Sequence, residues 1–243
     1  MAFTYEYPRP AVTCDVVAFT MRADDLAVLL IRRKRDPFAG HWALPGGFVD
    51  RDEALGRAAA RELAEETGLT GVKMDQLGAY GDPGRDPRGH TVSVAYVAFL
   101  VSEAAVAAGD DAADAQWLPL RSLDAEGVKP FQKSLKDKRP RPRRSVAPAP
   151  AREPLAFDHA RIVGDAYRRL CRAMQNPLFD ASFDFAPPRF TLAELRHVYE
   201  IVLGQAIEPR LFYRDFVTRG LVVPAARTTK KRAAGQLYRW NRR

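Results

Sequence analysis

A glutamate-rich segment at residues 54–67 constrains this chain more than any other part of its sequence. Its alanine, leucine and glutamate content predicts a helix, and the following Gly68 is a natural helix stop. Three carboxylates share one face of that helix, at positions i, i+3 and i+4: Glu62, Glu65 and Glu66. Carboxylates so placed repel one another unless a cation lies between them, and hard oxygen ligands suit Mg²⁺ or Mn²⁺. The segment therefore predicts a divalent-metal site, and the alternative is a solvated acidic helix face.

The residues before and among these glutamates complete a longer pattern. Glu53 and Arg61 form an opposite-charge pair that would hold the helix against the preceding loop. The glycine pair Gly46-Gly47 would let the backbone approach a phosphate closely. From Gly47 onward the sequence reads Gly-x5-Glu-x7-Arg-Glu-Leu-x-Glu-Glu-x-Gly-Leu. This pattern resembles the Nudix box of hydrolases that act on nucleoside-diphosphate-linked substrates.

The resemblance implies an α/β/α sandwich around a mixed sheet, a Mg²⁺ (or Mn²⁺) cofactor and attack on a pyrophosphate. The catalytic positions that it implies are Glu53, Arg61, Glu62, Glu65 and Glu66. The metal ligands that it implies are Glu62, Glu65 and Glu66, with Glu62 and Glu66 as the direct ligands and the carbonyl of Gly47 as a further candidate. The general base stays open between Glu103, Glu126 and Glu153.

Composition excludes several classes of protein. A chain of 243 residues with 47% apolar residues can bury packed cores in one large or two modest domains. Its two cysteines, Cys14 and Cys171, make neither a disulfide framework nor a metal cluster, which indicates a reducing compartment. From the N-terminal residues we expect no secretory leader, and the sequence contains no apolar run near the roughly 18 residues that a membrane span requires. We therefore expect a cytoplasmic protein that does not enter membranes.

The charge of the chain is unevenly distributed. Residues 1–132 carry 14 lysines and arginines against 20 acidic residues, a net charge of −6, whereas residues 133–243 carry 24 against 10, a net charge of +14. This asymmetry indicates that the C-terminal part faces a polyanion, for which nucleic acid is the usual candidate. The alternative is a solubilising basic surface. Residues 133–154 are basic, contain five prolines and have almost no apolar bulk, so we expect a mobile loop or linker.

The apolar patterns around the acidic helix predict further elements. Residues 13–20 and 26–31 are typical of two buried strands, residues 91–101 of another strand, and Trp117 begins a strand or turn. A helix should run from Leu155 to about Met174, with Leu155, Ile162, Ala166 and Leu170 on its apolar face. On that helix His159 is expected to pack or to form hydrogen bonds, in preference to a catalytic role.

Two segments offer contacts for a bound nucleotide. The loop over residues 81–90 contains three glycines and two prolines, so its backbone should be irregular. Arg85 and Arg88 in this loop suit a phosphate, because a guanidinium binds phosphate oxygens bidentately. Two aspartates in the loop would alternatively pair with these arginines: Asp82 and Asp86. Upstream, two rings would either stack on a base or pack around a tight loop: Phe38 and Trp42.

Residues 184–243 predict a helix–turn–helix followed by a β-hairpin. Thr191 caps a helix over residues 192–203, and Glu194 stands at the capping-box position three residues on. A second helix spans residues 209–218, and two strands then enclose a basic loop. This order is the layout of a winged helix, which lays its second helix in the DNA major groove.

Six basic residues of this part would contact DNA. On or beside the second helix they are Arg210, Arg214 and Arg219, and at the hairpin tip they are Lys230, Lys231 and Arg232. The same helix is otherwise less basic than a winged helix would lead us to expect, because it also contains Leu211, Tyr213 and Asp215. The sequence therefore does not predict which operator is preferred.

The two parts together resemble the Nudix-related transcriptional regulators of NAD metabolism, the NrtR family. The segments that carry the resemblance are residues 37–49, 81–88, 92–96, 155–159, 190–195 and 235–239. The resemblance implies an α+β chain: a Nudix domain over residues 1–183, interrupted by an insertion at 133–154, and a C-terminal winged helix-turn-helix domain over residues 184–243.

By the same resemblance, the first domain senses ADP-ribose or a related nucleotide, and a homodimer of winged helices binds double-stranded DNA as a repressor of NAD-metabolism genes. The alternative is a Mg²⁺-dependent Nudix pyrophosphatase of the ADP-ribose type with an accessory basic domain. Hydrolysis and regulation are compatible in one molecule, because the Nudix-like pattern is complete.

Overall fold

The computed structural model describes residues 6–22, 24–101, 104–109, 112–125, 154–175, 186–225 and 235–241. The strands are β1 (Ala11–Arg22), β2 (Asp25–Arg33), β3 (Trp42–Ala43), β4 (Gly46–Phe48), β5 (Asp75–Tyr80), β6 (Thr91–Leu100), β7 (Ala112–Pro119), β8 (Phe190–Thr191), β9 (Val222–Pro224) and β10 (Leu237–Trp240). The α-helices are α1 (Leu55–Thr67), α2 (His159–Gln175), α3 (Leu192–Leu203) and α4 (Pro209–Tyr213). In these ranges no helix has the length and apolar character needed to cross a membrane.

Strand β1 lies inside a seven-stranded mixed sheet. It pairs in parallel with β6 along ten residues, from Ala11 opposite Thr91 to Thr20 opposite Leu100. It pairs antiparallel with β2 and with the short strand β4. Strands β3 and β7 extend the sheet beyond β2, and β5 extends it beyond β6. β1 therefore brings β4, which precedes the acidic helix, into the sheet.

Helices cover both faces of this sheet. Side chains of a strand point alternately to its two faces, and along β1 the residues Cys14 and Val16 pack in the cluster that contains α1. Val17 and Phe19 point the other way and pack in the cluster that contains α2. Both strands predicted over residues 13–31 are therefore buried on two faces, as expected, and the predicted α/β/α sandwich is confirmed.

The acidic helix forms where the sequence predicts it. α1 covers residues 55–67, and the left-handed backbone of Gly68 (φ 76°) ends it, with the Gly68 N–H donating to the Ala64 carbonyl. The strand predicted over residues 91–101 is β6. Trp117 lies near the end of β7, so the expectation that it begins a strand is wrong.

Helix α2 begins later than expected. Leu155 is buried, but it lies ahead of the helix and forms a parallel bridge with Trp42. Phe157 then has a left-handed backbone with φ 55°, which a helix cannot continue through. The prediction of a helix from Leu155 is therefore wrong by four residues, because a tertiary contact holds the segment before His159 in a non-helical form.

The C-terminal elements have the predicted winged-helix order. α3 covers residues 192–203 and carries the complete capping box of Thr191 and Glu194. The second helix is α-helical over Pro209–Tyr213 and continues as a π-helical turn to Thr218. β10 pairs with both β9 and β8, which makes a three-stranded sheet where a two-stranded hairpin was expected.

Helix α2 also contacts this C-terminal unit. The Tyr167 hydroxyl donates a hydrogen bond of 2.7 Å to the carbonyl of Val202 on α3. Leu170 of α2 and Leu195 of α3 are both fully buried and belong to one hydrophobic cluster. The same helix thus packs on the sheet and on the winged helix.

Several expectations lie outside the described residues. They concern the insertion at residues 133–153, the three candidate general bases and the three basic residues at the hairpin tip: Glu103, Glu126, Glu153, Lys230, Lys231 and Arg232. Each of these remains a prediction. Cys14 and Cys171 do not form a disulfide with each other, and Cys14 is buried.

The capping box generates a stability prediction. Thr191 Oγ1 accepts from the Glu194 N–H at 3.2 Å, and Glu194 Oε2 accepts from the Thr191 N–H at 2.7 Å. Thr191→Ala should therefore lower the free energy of unfolding by about 1 kcal/mol in urea titrations followed by circular dichroism. Thr191→Ser keeps the hydroxyl and is the matched control. Equal losses in the two variants would show that the hydroxyl does not stabilise the helix.

Candidate active site and ligand pocket

Arg61 lies among the carboxylates of α1 and the loop before it. Its Nε and Nη2 donate to Glu53 at 2.9 and 2.8 Å, and its Nη1 donates to Glu62 at 2.8 Å and to Glu65 at 3.2 Å. Nη2 also donates to the Phe48 carbonyl at 3.1 Å. Hydrogen bonds from Arg61 hold the pKa of Glu53 at about 2. The expected Glu53–Arg61 pair is confirmed. The expectation that only a cation relieves the repulsion among the three glutamates is wrong for Glu62 and Glu65, because both pair with Arg61.

Glu66 differs from the other two glutamates because it is buried. It is 9% exposed, whereas the side chain of Glu65 is 58% exposed. Its Oε2 accepts a hydrogen bond of 2.8 Å from the Gly46 N–H. Burial, together with the nearby carboxylates of Glu62 and Asp15, raises the pKa of Glu66 to about 8 despite that bond. The three glutamates share a helix face, but they do not share one environment.

The glycines before α1 make room for protein atoms. A Cβ added at Gly47 would lie 2.4 Å from Oε1 and 2.6 Å from Oε2 of Glu62. A Cβ added at Gly46 would lie 2.2 Å from the Cys14 carbonyl oxygen and 2.6 Å from Asp15 Oδ1. These glycines therefore allow β4 to pack closely against α1 and β1. The sequence had instead suggested that they allow the backbone to approach a phosphate.

The oxygen atoms around Glu66 fit a divalent cation. Within the described ranges, no three His, Cys, Asp or Glu side chains already converge in a metal-binding group. Glu62 and Glu66 nevertheless both lie against the Gly46-Gly47 backbone, where burial and neighbouring carboxylates raise the pKa of each. A bound cation would relieve this repulsion, and hard carboxylate and carbonyl oxygens are ligands that Mg²⁺ and Mn²⁺ accept.

A pocket opens beside Gly46 and Gly47. Its lining contains three arginines, two aromatic rings and several buried polar groups: Thr13, Asp15, Arg33, Leu44, Gly46, Gly47, Phe48, Arg85, Asp86, Arg88, Phe157 and His159. Most of the residues come from β1, β2, β4, the loop over residues 81–90 and the first residue of α2, while Leu44 lies between β3 and β4 and Phe157 lies two residues before α2. Three arginines in one concave site favour an anionic ligand.

Arg85 and Arg88, the expected phosphate ligands, both line this pocket and both have carboxylate partners. Asp158 accepts from Nε and Nη2 of Arg85 at 3.0 and 2.6 Å. Asp86 accepts from Nε and Nη2 of Arg88 at 3.0 and 2.7 Å. The alternative expectation, that Asp82 and Asp86 pair with these arginines, is therefore confirmed for Asp86 and wrong for Asp82, which pairs with Arg161 of α2.

The aromatic rings of the pocket are not the ones that the sequence suggested. Trp42 is 8% exposed and belongs to the core, and Phe38 packs against Phe157 with 4.8 Å between ring centres. Neither is among the described residues that line the pocket, whereas Phe48 and Phe157 are. The Arg88 guanidinium lies 5.1 Å from the ring centre of Phe48 and 5.4 Å from that of Phe157. No local pattern could have shown this, because Phe157 is far from Phe48 in sequence.

Buried polar residues form another part of the pocket. Asp15 accepts a hydrogen bond from Ser93 and lies 3.7 Å from Nε2 of His159 and 3.9 Å from Nη2 of Arg85. Nδ1 of His159 accepts from the Leu44 N–H at 2.9 Å, so the neutral ring carries its proton on Nε2, facing Asp15. Burial lowers the pKa of His159 and favours this neutral form. The hydrogen-bonding role expected for His159 is confirmed.

Sequence reasoning did not identify Asp15 as a site residue. The available signal was its position inside an otherwise apolar strand, because a buried carboxylate without a partner is rare. In the sheet Asp15 points to the same face as Val17, toward α2, and it stands opposite Gly46 of β4.

The second helix of the winged helix combines charge with apolar surface. Arg210 and Arg214 are exposed on it, and Arg219 is exposed directly after its last residue. Arg214 pairs with the adjacent Asp215 at 3.0 Å. Leu211 and Tyr213 are 49% and 50% exposed, so the less basic positions noted in the sequence face outward.

Two family profiles match this chain. The NUDIX domain matches residues 11–138, and the NrtR DNA-binding winged helix domain matches residues 182–240. The "ADPR responsive transcriptional repressor NtrR" of Acinetobacter baylyi is 33% identical over 239 residues, which cover 97% of this chain and 84% of that protein. The chain belongs to the NrtR family.

Two further relatives match this NrtR-family chain over different lengths. The structure of Shewanella oneidensis NrtR complexed with a 27mer DNA has a TM-score of 0.65 and 30% identity, over 94% of this chain and 93% of that one. The ADP-ribose pyrophosphatase of Methanocaldococcus jannaschii is 42% identical over 162 residues, which cover 67% of this chain and 76% of that protein. The predicted family and fold class are confirmed, and Nudix hydrolases generally use divalent metal ions.

The crowding at Gly47 generates a prediction for metal binding. In a Gly47→Ala variant the flexible end of Glu62 should move away from the new Cβ while the fold persists. Disturbing the position of one metal ligand typically lowers metal affinity by about 10- to 100-fold. The Mn²⁺ affinity measured by calorimetry should therefore fall by that order when Glu62 is displaced. Gly56→Ala is the matched control, because a Cβ there meets only the Tyr96 hydroxyl at 3.8 Å. Equal Mn²⁺ affinities in the two variants would contradict the expectation.

The raised pKa of Glu66 generates a prediction for pH. Folding raises this pKa from 4.5 to about 8, so the folded chain binds an extra proton between these values. The stability of metal-free protein is therefore highest below the lower pKa and declines as the pH rises through the higher one. With a chelator present, Glu66→Gln should melt at a higher temperature than the natural chain above pH 8, and the difference should shrink toward pH 4.5. The exposed Glu65→Gln change is the control, and the same pH trend in both variants would refute this assignment.

Proposed function

We propose that this chain is a repressor of NAD-metabolism genes whose affinity for operator DNA changes when ADP-ribose or a related nucleotide binds. One observation carries the proposal. An arginine-lined pocket beside the Nudix box and an exposed, arginine-bearing helix of a winged helix are joined in one chain by α2. The chain would therefore combine a sensor site with a DNA-binding surface.

The proposed domains are residues 1–183 and residues 184–243. The first would contain the seven-stranded sheet with α1 and α2, and the second would begin just before the capped helix α3. The basic, proline-rich residues 133–154 would be an insertion in the first domain, since α2 follows them and covers the same sheet.

The pocket supports a nucleoside diphosphate such as ADP-ribose as the ligand. Arg85 and Arg88 would bind the diphosphate, because guanidinium groups match phosphate oxygens. The rings of Phe48 and Phe157 offer apolar surface to a base or a ribose. Phe38 and Trp42 would then support the pocket wall without touching the ligand. The ADP-ribose response stated in the name of the Acinetobacter baylyi relative agrees with this ligand.

The proposed cofactor is Mg²⁺ or Mn²⁺, with Glu62, Glu65, Glu66 and the Gly47 carbonyl as ligands. A bound cation would neutralise diphosphate charge and lower the pKa of a water molecule. Arg61 holds Glu62 and Glu65 in position, and Glu53 anchors Arg61 to the preceding loop. Arg61 thus balances part of the carboxylate charge that the cation would also balance.

Hydrolysis of ADP-ribose is the second proposed function. A specific observation favours it: the buried carboxylate of Glu66 lies beside Gly46 at the edge of the pocket, and every position of the Nudix box is filled. The similarity to the Methanocaldococcus jannaschii ADP-ribose pyrophosphatase agrees with this activity. Hydrolysis would deplete the ligand that the regulator senses.

DNA is the proposed partner of the second domain. Arg210 and Arg214 would enter the major groove with Leu211 and Tyr213, and apolar contacts there suit the thymine methyl group. Arg219, with Lys230, Lys231 and Arg232 of the hairpin loop, would contact phosphates. A homodimer would present two such helices to a palindromic operator.

Operator binding tests this proposal. The full chain should bind a palindromic duplex from upstream of NAD-synthesis genes more tightly than a random duplex in fluorescence anisotropy, and ADP-ribose should change that affinity. Arg214→Ala should cost about 1–3 kcal/mol and relax the sequence preference if it contacts a base edge. Arg121→Ala removes an equally charged side chain, 68% exposed, from the first domain and should have little effect.

Two outcomes would contradict parts of this account. Equal affinity for palindromic and random duplexes at low salt would refute the regulator and leave the enzyme as the function. Absence of AMP release from ADP-ribose at every Mg²⁺ and Mn²⁺ concentration would reduce the Nudix box to a binding site. If AMP is released, Gly47→Ala should slow the reaction and Gly56→Ala should not.

A further inference from the structure

A short segment between the two matched domains forms one wall of the pocket. Residues 155–159 lie outside both family matches, which cover residues 11–138 and 182–240. The segment is fixed to the first domain at Trp42: the Ala156 N–H donates to the Trp42 carbonyl at 2.8 Å, and Leu155 forms a bridge with the same residue. The three residues that follow reach the pocket.

Phe157, Asp158 and His159 each hold a different part of the pocket. The Phe157 ring lies under two guanidinium groups, 4.8 Å from Arg33 and 5.4 Å from Arg88. The Asp158 carboxylate accepts hydrogen bonds from Nε and Nη2 of Arg85 in a bidentate pair. His159 accepts from the Leu44 N–H. We call residues 157–159 the sensor segment.

The backbone of the sensor segment is strained. Phe157 has φ 55°, in the left-handed region that a bulky residue rarely occupies. Such a residue persists only where its surroundings fix it, and here the Trp42 bridge precedes it and the Arg85–Asp158 pair follows it. If the Arg85–Asp158 pair changes, the segment loses one of the contacts that keep it in this form.

The sensor segment continues directly into α2, and α2 leads to the winged helix. His159 is both the third residue of the segment and the first residue of the helix. Two turns later, Tyr167 donates to the Val202 carbonyl at the end of α3. Leu170 is fully buried in the cluster shared with α3. A helix is stiff over two turns. A displacement of the first turn of α2 would therefore also displace Tyr167 and Leu170, which contact α3.

We propose that the sensor segment recognises the diphosphate of a bound nucleotide and that α2 transmits its displacement to the winged helix. This inference rests on the proposed function, because it names the residues that would couple the two sites. A diphosphate drawn to Arg85 and Arg88 repels the Asp158 carboxylate and competes with it for Arg85. The ligand thereby weakens the pair that holds the first turn of α2.

The proposal differs from a purely structural role in a measurable way. If Asp158 only orients Arg85, removing its charge should weaken ligand binding and leave the response of DNA binding intact. If Asp158 is the group that the ligand displaces, removing its charge should leave ligand binding at least as tight and reduce the response. The response is expressed here as a coupling factor, the ratio of operator dissociation constants with and without saturating ADP-ribose.

Asp158→Asn is the first test, with calorimetry for ADP-ribose affinity and anisotropy for operator affinity in the full chain. We expect ADP-ribose affinity equal to or above that of the natural chain, and a coupling factor that moves to within about threefold of one. Without ligand, the variant should already bind operator about as the ligand-saturated natural chain does. Asp82→Asn is the matched control, because Asp82 joins the same loop to Arg161 of α2 through an exposed pair. It should leave both quantities unchanged.

Tyr167→Phe is the second test and lies away from the pocket. It removes the hydroxyl that bonds to Val202, so ADP-ribose affinity should stay within about twofold of the natural value while the coupling factor falls. Tyr96→Phe makes the same change on the α1 face of the sheet and should leave the coupling factor unchanged. Circular dichroism establishes that each variant is folded, and the two tests do not depend on the same contact.

The outcomes separate this inference from the proposed function. A natural chain that binds no operator, or whose operator affinity ignores ADP-ribose, would refute the proposed function itself. A natural chain that responds normally, with coupling factors unchanged in Asp158→Asn and Tyr167→Phe, would overturn only the sensor segment. Weaker ADP-ribose binding with an unchanged coupling factor in Asp158→Asn would assign Asp158 to holding Arg85 and would likewise overturn it.

Discussion

The backbone of residues 44–47 is held from both faces of the sheet, and the rest of the site depends on how it is held. Glu66 of α1 accepts the Gly46 N–H, and His159 of α2 accepts the Leu44 N–H. Both acceptors are buried, and a buried hydrogen bond is costly to lose because its partner would be left unsatisfied. The two helices that sandwich the sheet therefore share one loop, which separates the acidic cluster from the ligand pocket.

This arrangement gives the two sides of the loop different chemistry. On the α1 side, buried carboxylates lie close together and favour a cation. On the α2 side, three arginines with aromatic rings favour an anion. A metal-bound nucleoside diphosphate would satisfy both sides at once, because the carboxylates would bind the cation and the arginines would bind the phosphate oxygens. On this account, the residues of the Nudix box would serve ligand binding in a regulator as well as hydrolysis.

What residue patterns alone predicted most accurately was local, whereas the α/β/α sandwich was predicted from the family resemblance. The span of α1 follows from glutamate spacing and Gly68, and the span of α3 follows from the capping box at Thr191, since both signals lie within a few residues of the helix they define. The pocket was not predictable in this way, because it joins Asp15, Arg85 and Asp158 from three distant segments. The early start predicted for α2 failed for a similar reason: a bridge to residue 42 and a positive φ at residue 157 override the helical pattern. The positions of Arg85 and Arg88 in the pocket could be anticipated, and so could the Arg88–Asp86 pair within one loop, but the Asp158 partner of Arg85 could not, because it is 73 residues away in the sequence.

The central claim is that one helix connects ligand binding to DNA binding. Hydrogen–deuterium exchange on the full chain, with and without saturating ADP-ribose, tests it most directly because exchange reports local opening along the backbone. The account predicts altered protection in residues 44–48 and 85–88, continuing through α2 to the end of α3 near Val202. Altered protection confined to the Nudix box and the loop over residues 81–90, with α2 and α3 unchanged, would contradict it.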